Sequence, residues 1–284
     1  MSAGASAETA QRQKVVLEGG DGTTLERLAG IGTDRPDLAH LLPFWIDIYR
    51  AQLDARQELL ASEGPLSWEV RHERLEDGRP QLDATDLPLD KALLGRTVER
   101  LEEAWRQHDQ ARERVGMRYW SVQVRRAFAD PTCAPGQRRY LGFEEMLSAL
   151  CLVPYLEWAA ETIAPLLQGE LERWGRERCP VCGGYPDLAA LAGDPGARYL
   201  ICSRCSSAWD YRRVGCPFCQ DVERQVYHAG GEEPYRLYLC EACRRYLKTV
   251  DARRLGGRID PRVERLVTIG MDLAALEAGY GPNE

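Results

Sequence analysis

The chain has 284 residues, a formal net charge of −7, 44% hydrophobic residues and 29% charged residues. These values are typical of a water-soluble globular protein with more than one domain, and no run of about 18 apolar residues is present that would form a transmembrane helix. The N-terminal segment has neither an apolar signal region nor a twin-arginine pattern, so we predict a cytoplasmic protein whose residues 1–20 are a disordered lead-in.

Residues 21–175 are predicted to form a helical domain. Thr33 and Asp34 before Pro36 predict an N-cap and a first helical turn. Residues 61–88 are rich in Pro, Gly and Asp, which predicts a connection. Between the predicted N-cap and this connection, apolar residues recur every three or four positions, as they do on one face of a helix. This stripe consists of Leu38, Leu41, Leu42, Trp45, Tyr49 and Leu53.

Three further helical segments are predicted before residue 175. The first has an apolar face that begins at Leu94. The second covers residues 119–128. The third covers residues 143–174, with a break or kink near Pro154 and Pro165. We interpret His108 as a packed side chain because it follows Trp105 by three positions on the apolar face. That face consists of Leu94, Val98, Leu101, Trp105 and His108.

The pattern changes at Cys179. Short alternating segments rich in Tyr, Leu and Val predict strands over residues 198–201, 225–228 and 235–239. Asp260-Pro261 then predicts the start of a closing helix. The sequence leaves open whether this helix packs on the N-terminal helical domain.

Eight of the ten cysteines form four Cys-x-x-Cys motifs, and the motifs form an internal repeat. The first and third motifs read CPVC and CPFC, and a Tyr-Leu segment precedes the second and the fourth. The gap is 19 residues between the first and second motifs and 20 residues between the third and fourth. Two such motifs facing each other supply the four thiolates of a tetrahedral zinc or iron site. The predicted metal ligands are Cys179, Cys182, Cys202, Cys205, Cys216, Cys219, Cys240 and Cys243.

Two pairings of the motifs and two metals remain open. Sequential pairing joins the first motif to the second and the third to the fourth, which the duplication favours, whereas a cross-braced arrangement would join the first to the third. Zinc would make a closed four-thiolate site structural, and iron would make it a potential one-electron centre. Glycine eases the turn after such a motif. Only Cys182 is followed by glycine; Ser206, Gln220 and Arg244 occupy the other three positions.

The whole pattern predicts an α+β protein. An all-helical domain is followed by two tandem rubredoxin-like or zinc-ribbon four-cysteine modules, residues 176–213 and 214–256, and by a short C-terminal helical tail over residues 257–284. Modules of this size take much of their stability from the metal.

The metal region is rich in arginine. Residues 176–258 contain 14 Lys and Arg against 10 Asp and Glu. A divalent ion held by four thiolates carries a net charge of about −2, so arginines beside the motifs are predicted to offset it. The mixture of arginines and aromatics also leaves a nucleic-acid-binding protein as an alternative, which the modest positive charge disfavours. These arginines are Arg204, Arg212, Arg213, Arg244 and Arg245.

The sequence contains no recognisable set of catalytic residues. The sequence has no P-loop, no Gly-x-Ser-x-Gly and no Gly-x-Gly-x-x-Gly, and its four histidines are scattered. His228 lies inside the second module, where four sulfurs already complete the site. Cys133 and Cys151 are interpreted as ordinary thiols. We therefore predict a protein that is not an enzyme.

The ordered motifs CPVCG, YLICSRC, GCPFC and YLYLCEAC followed by RRYLKTVD resemble the formate dehydrogenase accessory protein family, FdhE. The resemblance implies a cytoplasmic assembly factor for active formate dehydrogenase, with two iron or zinc ions on the eight cysteines. It implies the catalytic subunit of formate dehydrogenase as the partner. The charge balance predicts that no nucleic acid is bound, and the lack of a long apolar run predicts no membrane insertion. An iron-dependent, rubredoxin-like redox protein acting in maturation is the alternative.

Overall fold

The N-terminal part of the protein is a bundle of helices. The computed structural model describes residues 15–19, 22–108, 120–130, 142–193, 196–229 and 234–281. The helices of the bundle are α1 (Gly22–Asp34), α2 (Leu42–Glu63), α3 (His72–Glu76), α4 (Lys91–His108), α5 (Trp120–Ala129), α6 (Phe143–Leu166) and α7 (Gln168–Trp174).

Helix α6 is the central element of the bundle, and α2, α4 and α5 pack around it. It continues through Pro154, where the sequence predicted a break or kink. Proline lacks an N–H and leaves the carbonyl of Leu150 without its helical donor. The Gln52 side chain of α2 supplies that donor at 2.9 Å. The interruption predicted near Pro165 is present, since α6 ends at Leu166 and α7 begins at Gln168.

The beginning of the bundle differs from the prediction. Asp34 is the last residue of α1 and not an N-cap, and Pro36 lies in a short 3-10 turn before α2. Helix α1 was hidden because it contains three glycines, which are poor helix formers. Packing overrides that preference, since Leu28 and Ile31 are buried against Leu266 of the C-terminal region.

The metal region forms one six-stranded sheet with strand order β4-β3-β2-β7-β6-β5. Each half is an antiparallel meander, and the two halves join through parallel pairing of β2 with β7. The two repeats therefore share one sheet. Its strands are β2 (Pro186–Ala192), β3 (Ala197–Cys202), β4 (Ala208–Tyr211), β5 (Gln225–Ala229), β6 (Tyr235–Cys240) and β7 (Tyr246–Asp251).

Strands β3, β5 and β6 confirm the three predicted strands, and β2 shows why others were missed. Its sequence, PDLAALA, does not alternate, because the strand lies inside the sheet and both of its faces are buried. Ala189 faces the core shared with the helical bundle, whereas Leu188 and Ala190 face a second core. A strand that is buried on both faces therefore shows no alternation of apolar and polar residues.

The first and last described segments are integrated into the fold. Strand β1 (Val16–Leu17) pairs in parallel with β8 (Arg258–Ile259), so these two residues form a strand where the sequence predicted a disordered lead-in; residues 1–14 of that predicted range lie outside the described residues. The closing helix is α8 (Pro261–Val267), followed by α9 (Ile269–Glu277). It packs on the bundle, which the sequence left open. The predicted α+β class and the order of its parts are confirmed. No described helix is both long and apolar enough to span a bilayer.

Glu264 of α8 is a buried acid whose Oε2 has no hydrogen-bond partner among the described residues. Burial raises the pKa of its carboxyl from 4.5 to about 7. Asp260 raises this pKa further, whereas Tyr235 and Arg27 lower it. Because the folded state has the higher pKa, the stability contributed by Glu264 is complete below pH 4.5 and is lost as the pH rises to about 7.

We predict that Glu264→Gln stabilises the protein at pH 8 by up to about 3 kcal/mol relative to the parent chain, because the neutral amide removes a buried negative charge. The advantage should shrink as the pH falls toward 5. Urea unfolding midpoints of both proteins at pH 5.5 and 8 measure the difference. A difference that does not change with pH would contradict the prediction.

Candidate metal centres

The first cage consists of Cys179, Cys182, Cys202 and Cys205, whose Sγ atoms lie within 4.8 Å of one another. The Sγ–Sγ distance is 3.6 Å between Cys179 and Cys205, and 3.5 Å from Cys182 to each of Cys202 and Cys205. All four side chains are buried. They belong to the same hydrophobic core as helices α2, α4 and α6.

The second cage consists of Cys216, Cys219, Cys240 and Cys243. The Sγ–Sγ distance is 3.7 Å between Cys216 and Cys243 and 3.6 Å between Cys219 and Cys240. Cys219 is exposed and Cys243 is half-buried. The two cages therefore have the same donor set but differ in their access to solvent.

Both cages fit a tetrahedral ion. A Zn–S bond of about 2.3 Å implies Sγ–Sγ edges of roughly 3.8 Å, close to the separations found here and far from the roughly 2.05 Å of a disulfide. The cysteines group in sequential order and not in the cross-braced one. The protein thus contains two four-cysteine sites that can hold metal ions.

All four Cys-x-x-Cys turns have the same backbone. The residue after the second cysteine has a positive φ in each: 74° at Gly183, 57° at Ser206, 65° at Gln220 and 57° at Arg244. Its N–H donates to the carbonyl of the first cysteine of the motif, at distances between 2.8 and 3.2 Å. The absence of glycine from three motifs therefore left the turn unchanged. Side chains at these positions are held in a strained region that glycine occupies freely.

We predict that Gln220→Gly stabilises the second cage by about 1 kcal/mol, because glycine removes the left-handed strain at φ 65°. Gln220→Ala is the matched control, since it removes the same side chain but keeps the Cβ. Thermal unfolding of the metal-loaded proteins measures both. An equal shift for the two variants would contradict a backbone origin.

Hydrogen bonding among the thiols favours one ionised sulfur in each cage. Hydrogen bonds from Cys179, and then from Cys202 and Cys205, hold the pKa of Cys182 well below its usual range. The thiol of Cys243 lowers the pKa of Cys216 to about 5. Because the thiolate is the metal-binding form, each cage contains a sulfur that is ready to bind an ion.

Arginines surround the cages, partly as predicted. The buried Arg204 donates its backbone N–H to Cys202 Sγ at 3.4 Å, and the buried Arg245 lies 3.7 Å over the ring of Phe218. Arg265 was not among the predicted residues, yet its Nη2 donates to the Cys202 carbonyl at 2.7 Å. This residue lies in α8, far from the motifs in the chain, and no local pattern indicated its role.

Outside the cages, His108 was predicted to be a packed side chain. It contacts the ring of Phe44 edge-on, but it is exposed at the end of α4 and lies 3.1 Å from an Asp47 oxygen. Neither cage includes a histidine in the part of the chain that the structure describes. Cys151 is buried in the bundle, and burial raises the pKa of its thiol. Cys133 lies outside the described residues.

We predict that a chelator removes metal from the second cage first, because solvent reaches Cys219 whereas the first cage must open with the core. With excess EDTA, the two ions should leave in phases that differ by at least roughly tenfold in rate, as local and global openings do. Cys219→Ser should lack the fast phase. Release of both ions in one phase would contradict the assignment.

The family model and the relatives that this chain resembles all bear the name FdhE. Residues 178–213 match the family model described as the FdhE central domain. A protein FdhE homolog of Aquifex aeolicus is 32% identical over 145 residues, which are 49% of this chain and only 51%, about half, of that protein. One of Stutzerimonas stutzeri is 28% identical over 265 residues, 89% of this chain and 84% of that protein. The crystal structure of the FdhE protein from Pseudomonas aeruginosa has a TM-score of 0.62 at 21% identity over 90% of both chains, so the fold is shared.

Proposed function

We propose that this chain is a member of the FdhE family and that it is a cytoplasmic accessory factor required for the maturation of active formate dehydrogenase. The pair of four-cysteine cages is the observation that carries the proposal. A site closed by four protein thiolates has no open position for a substrate, so it suits a protein that binds another protein better than it suits a hydrolytic enzyme.

We propose that the eight cage cysteines hold two ions, zinc or iron, and that residues 176–213 and 214–256 are the two metal modules. The helical domain over residues 21–175 and the tail over residues 257–284 support them. When bound, a zinc ion would supply structural cross-linking. The chain itself contributes the buried arginines beside the cages, which reduce the cost of their negative charge.

The proposed partner is the catalytic subunit of formate dehydrogenase. Apolar side chains are exposed beside the second cage, at Val214 (65% exposed) and Val222 (55%). Exposed apolar residues close to one another favour protein contact. We propose that this edge of the metal modules contacts the client.

Gene deletion tests the function. In a host that has formate dehydrogenase and carries this gene, deletion should abolish formate oxidation, and the intact gene should restore it. The double variant Val214→Asp and Val222→Asp should fail to restore oxidation and should no longer copurify the catalytic subunit. Leu273→Asp, an equally exposed apolar position on α9, is the matched control. Undiminished formate oxidation in the deletion strain would contradict the proposal.

A redox role is a second candidate, supported by the exposure of Cys219. An iron ion in the second cage would be within reach of a partner's redox centre. Protein purified without oxygen should then absorb visible light through thiolate-to-iron transitions. About two zinc ions per chain and no such absorption would remove this candidate.

A further inference from the structure

Strand β5 forms one edge of the six-stranded sheet and pairs with β6 alone among the described strands. At the opposite edge, helix α7 packs against β4. No backbone group of the described residues hydrogen-bonds to the outer side of β5. An edge strand with free N–H and C=O groups is a template for pairing with another chain, and natural proteins usually cover or interrupt such edges. The fold thus leaves one edge of the metal modules available for pairing.

The hydrogen bonds at the start of β5 show which of its residues face outward. Arg224, one residue before the strand, lies opposite Glu241 and accepts the N–H of that residue at 3.0 Å. Cys240 lies opposite Gln225 but donates its N–H to the Arg245 carbonyl at 2.9 Å, on the side of β7. Opposite residues of antiparallel strands alternate between bonded and non-bonded pairs, so every second residue of β5 directs its N–H and C=O away from β6. These outward residues are Gln225, Tyr227 and Ala229.

Exposed apolar side chains lie close to the beginning of this strand. Val222 precedes β5 by three residues and is 55% exposed. Val214 is 65% exposed, and the next residue, Gly215, approaches Val222 so closely that a Cβ there would lie 3.1 Å from Val222 Cγ1. The two valines form an apolar surface that can accept an apolar side chain of a bound strand.

We propose that the outer edge of β5 binds an extended segment of the client polypeptide, which adds a strand to the sheet. In this mode of binding the main chains supply the hydrogen bonds, and contacts of alternate side chains select the sequence. The three outward residues of β5 match one side of such a segment, and Val214 and Val222 favour an apolar residue at its end. The inference rests on the proposed function for the identity of the client.

A second copy of this chain is a poorer occupant of the edge. A strand of five residues spans about 17 Å. Pairing two such edges buries far less than the roughly 1,200–2,000 Å² of a stable interface between folded proteins. A client segment that has not yet folded can follow the edge and reach Val214 and Val222 in the same binding event.

Peptide binding to the metal-loaded, full-length protein tests the proposal. Overlapping short peptides that cover the catalytic subunit of formate dehydrogenase are titrated, with fluorescence anisotropy as the readout, and at least one should bind saturably. Methylating every second backbone nitrogen of that peptide in one register should weaken binding roughly tenfold or more, whereas methylating the intervening nitrogens should change it little. The reason is that a paired strand directs every second N–H to its neighbour. No saturable peptide, or equal losses for the two registers, would overturn the proposal.

Two variants of one position assign the binding to the edge. Tyr227→Pro removes an outward N–H, and proline is tolerated on edge strands where its nitrogen faces away from the sheet. Tyr227→Ala is the matched control, since it removes the same side chain but keeps the N–H. The proline variant should have the metal content of the parent and bind the peptide roughly tenfold more weakly than the alanine variant. Equal affinities of the two variants would overturn the proposal, and if Tyr227→Pro does not fold, the methylated peptides decide.

Two further outcomes separate this inference from its alternatives. A purified protein that is a dimer, and that becomes monomeric in Tyr227→Pro, would show that a second copy occupies the edge and would overturn the proposal. Loss of formate oxidation in the deletion strain, together with no peptide binding, would overturn this inference alone and leave the proposed function in place.

Discussion

Cys179→Ser is expected to abolish the folded state of the whole protein, and not only the occupancy of one site. The first cage lies in the main core, and its motif also pairs with the helical domain: Gln81 N–H donates to the Pro180 carbonyl at 2.8 Å, and Leu82 N–H to the Val181 carbonyl at 2.9 Å. Structural zinc contributes about 10–16 kcal/mol in small zinc-dependent modules, which is comparable to the entire stability of a domain, about 5–15 kcal/mol.

Cys219→Ser is the matched control, because it removes one sulfur from the cage whose cysteines lie outside that core. We expect this variant to stay soluble and helical with one ion per chain. Elemental analysis, circular dichroism and size-exclusion chromatography measure metal, helix content and compactness. A monomeric Cys179→Ser protein with the helicity of the parent would show that the first cage is dispensable for the bundle.

Arg265→Ala is expected to destabilise the protein by about 3–5 kcal/mol, because it removes one partner of a mostly buried ion pair. The guanidinium binds both oxygens of Asp187, at 2.7 and 3.1 Å, Ser206 Oγ at 3.1 Å and the Cys202 carbonyl at 2.7 Å. It therefore connects α8 to β2 and to the first cage at once. For a chain of this size the melting temperature should fall on the order of 10 °C.

Arg258→Ala provides the comparison for Arg265→Ala. Its ion pair with Glu18 has a similar distance, 2.7 Å, but the arginine is 66% exposed. Exposed pairs contribute about 0–1 kcal/mol, so this variant should melt close to the parent. Equal losses in the two variants would show that burial is not the cause. Arg265→Lys should recover only part of the loss, since an ammonium group cannot form the paired contacts of a guanidinium.

The features that local sequence predicted correctly are those whose geometry is itself local. A Cys-x-x-Cys turn closes within a few residues, and Ser206, Gln220 and Arg244 show that it closes without glycine. Helix α4 followed from an apolar stripe because one of its faces is buried and the other is exposed. The strands β3, β5 and β6 likewise carried recognisable patterns rich in Tyr, Leu and Val.

The elements that the sequence concealed are those stabilised by distant partners. Strand β2 does not alternate because neighbouring strands and two cores cover it completely. Helix α1 contains glycines and is stabilised by packing against α2 and the distant α8. The helical run through Pro154 depends on a donor from Gln52, about a hundred residues earlier in the chain.

The eight cysteines, their division into four motifs and the chemistry of a four-thiolate site follow from residue type and short spacing, so they can be read from the sequence. The sharing of one sheet by the two repeats through β2 and β7, and the difference in exposure between two cages of the same composition, follow only from how distant segments pack. Exposure depends on what packs over a residue, and no local pattern records that. The helical bundle and Arg265 cover the first cage, whereas Cys219 of the second remains open to solvent.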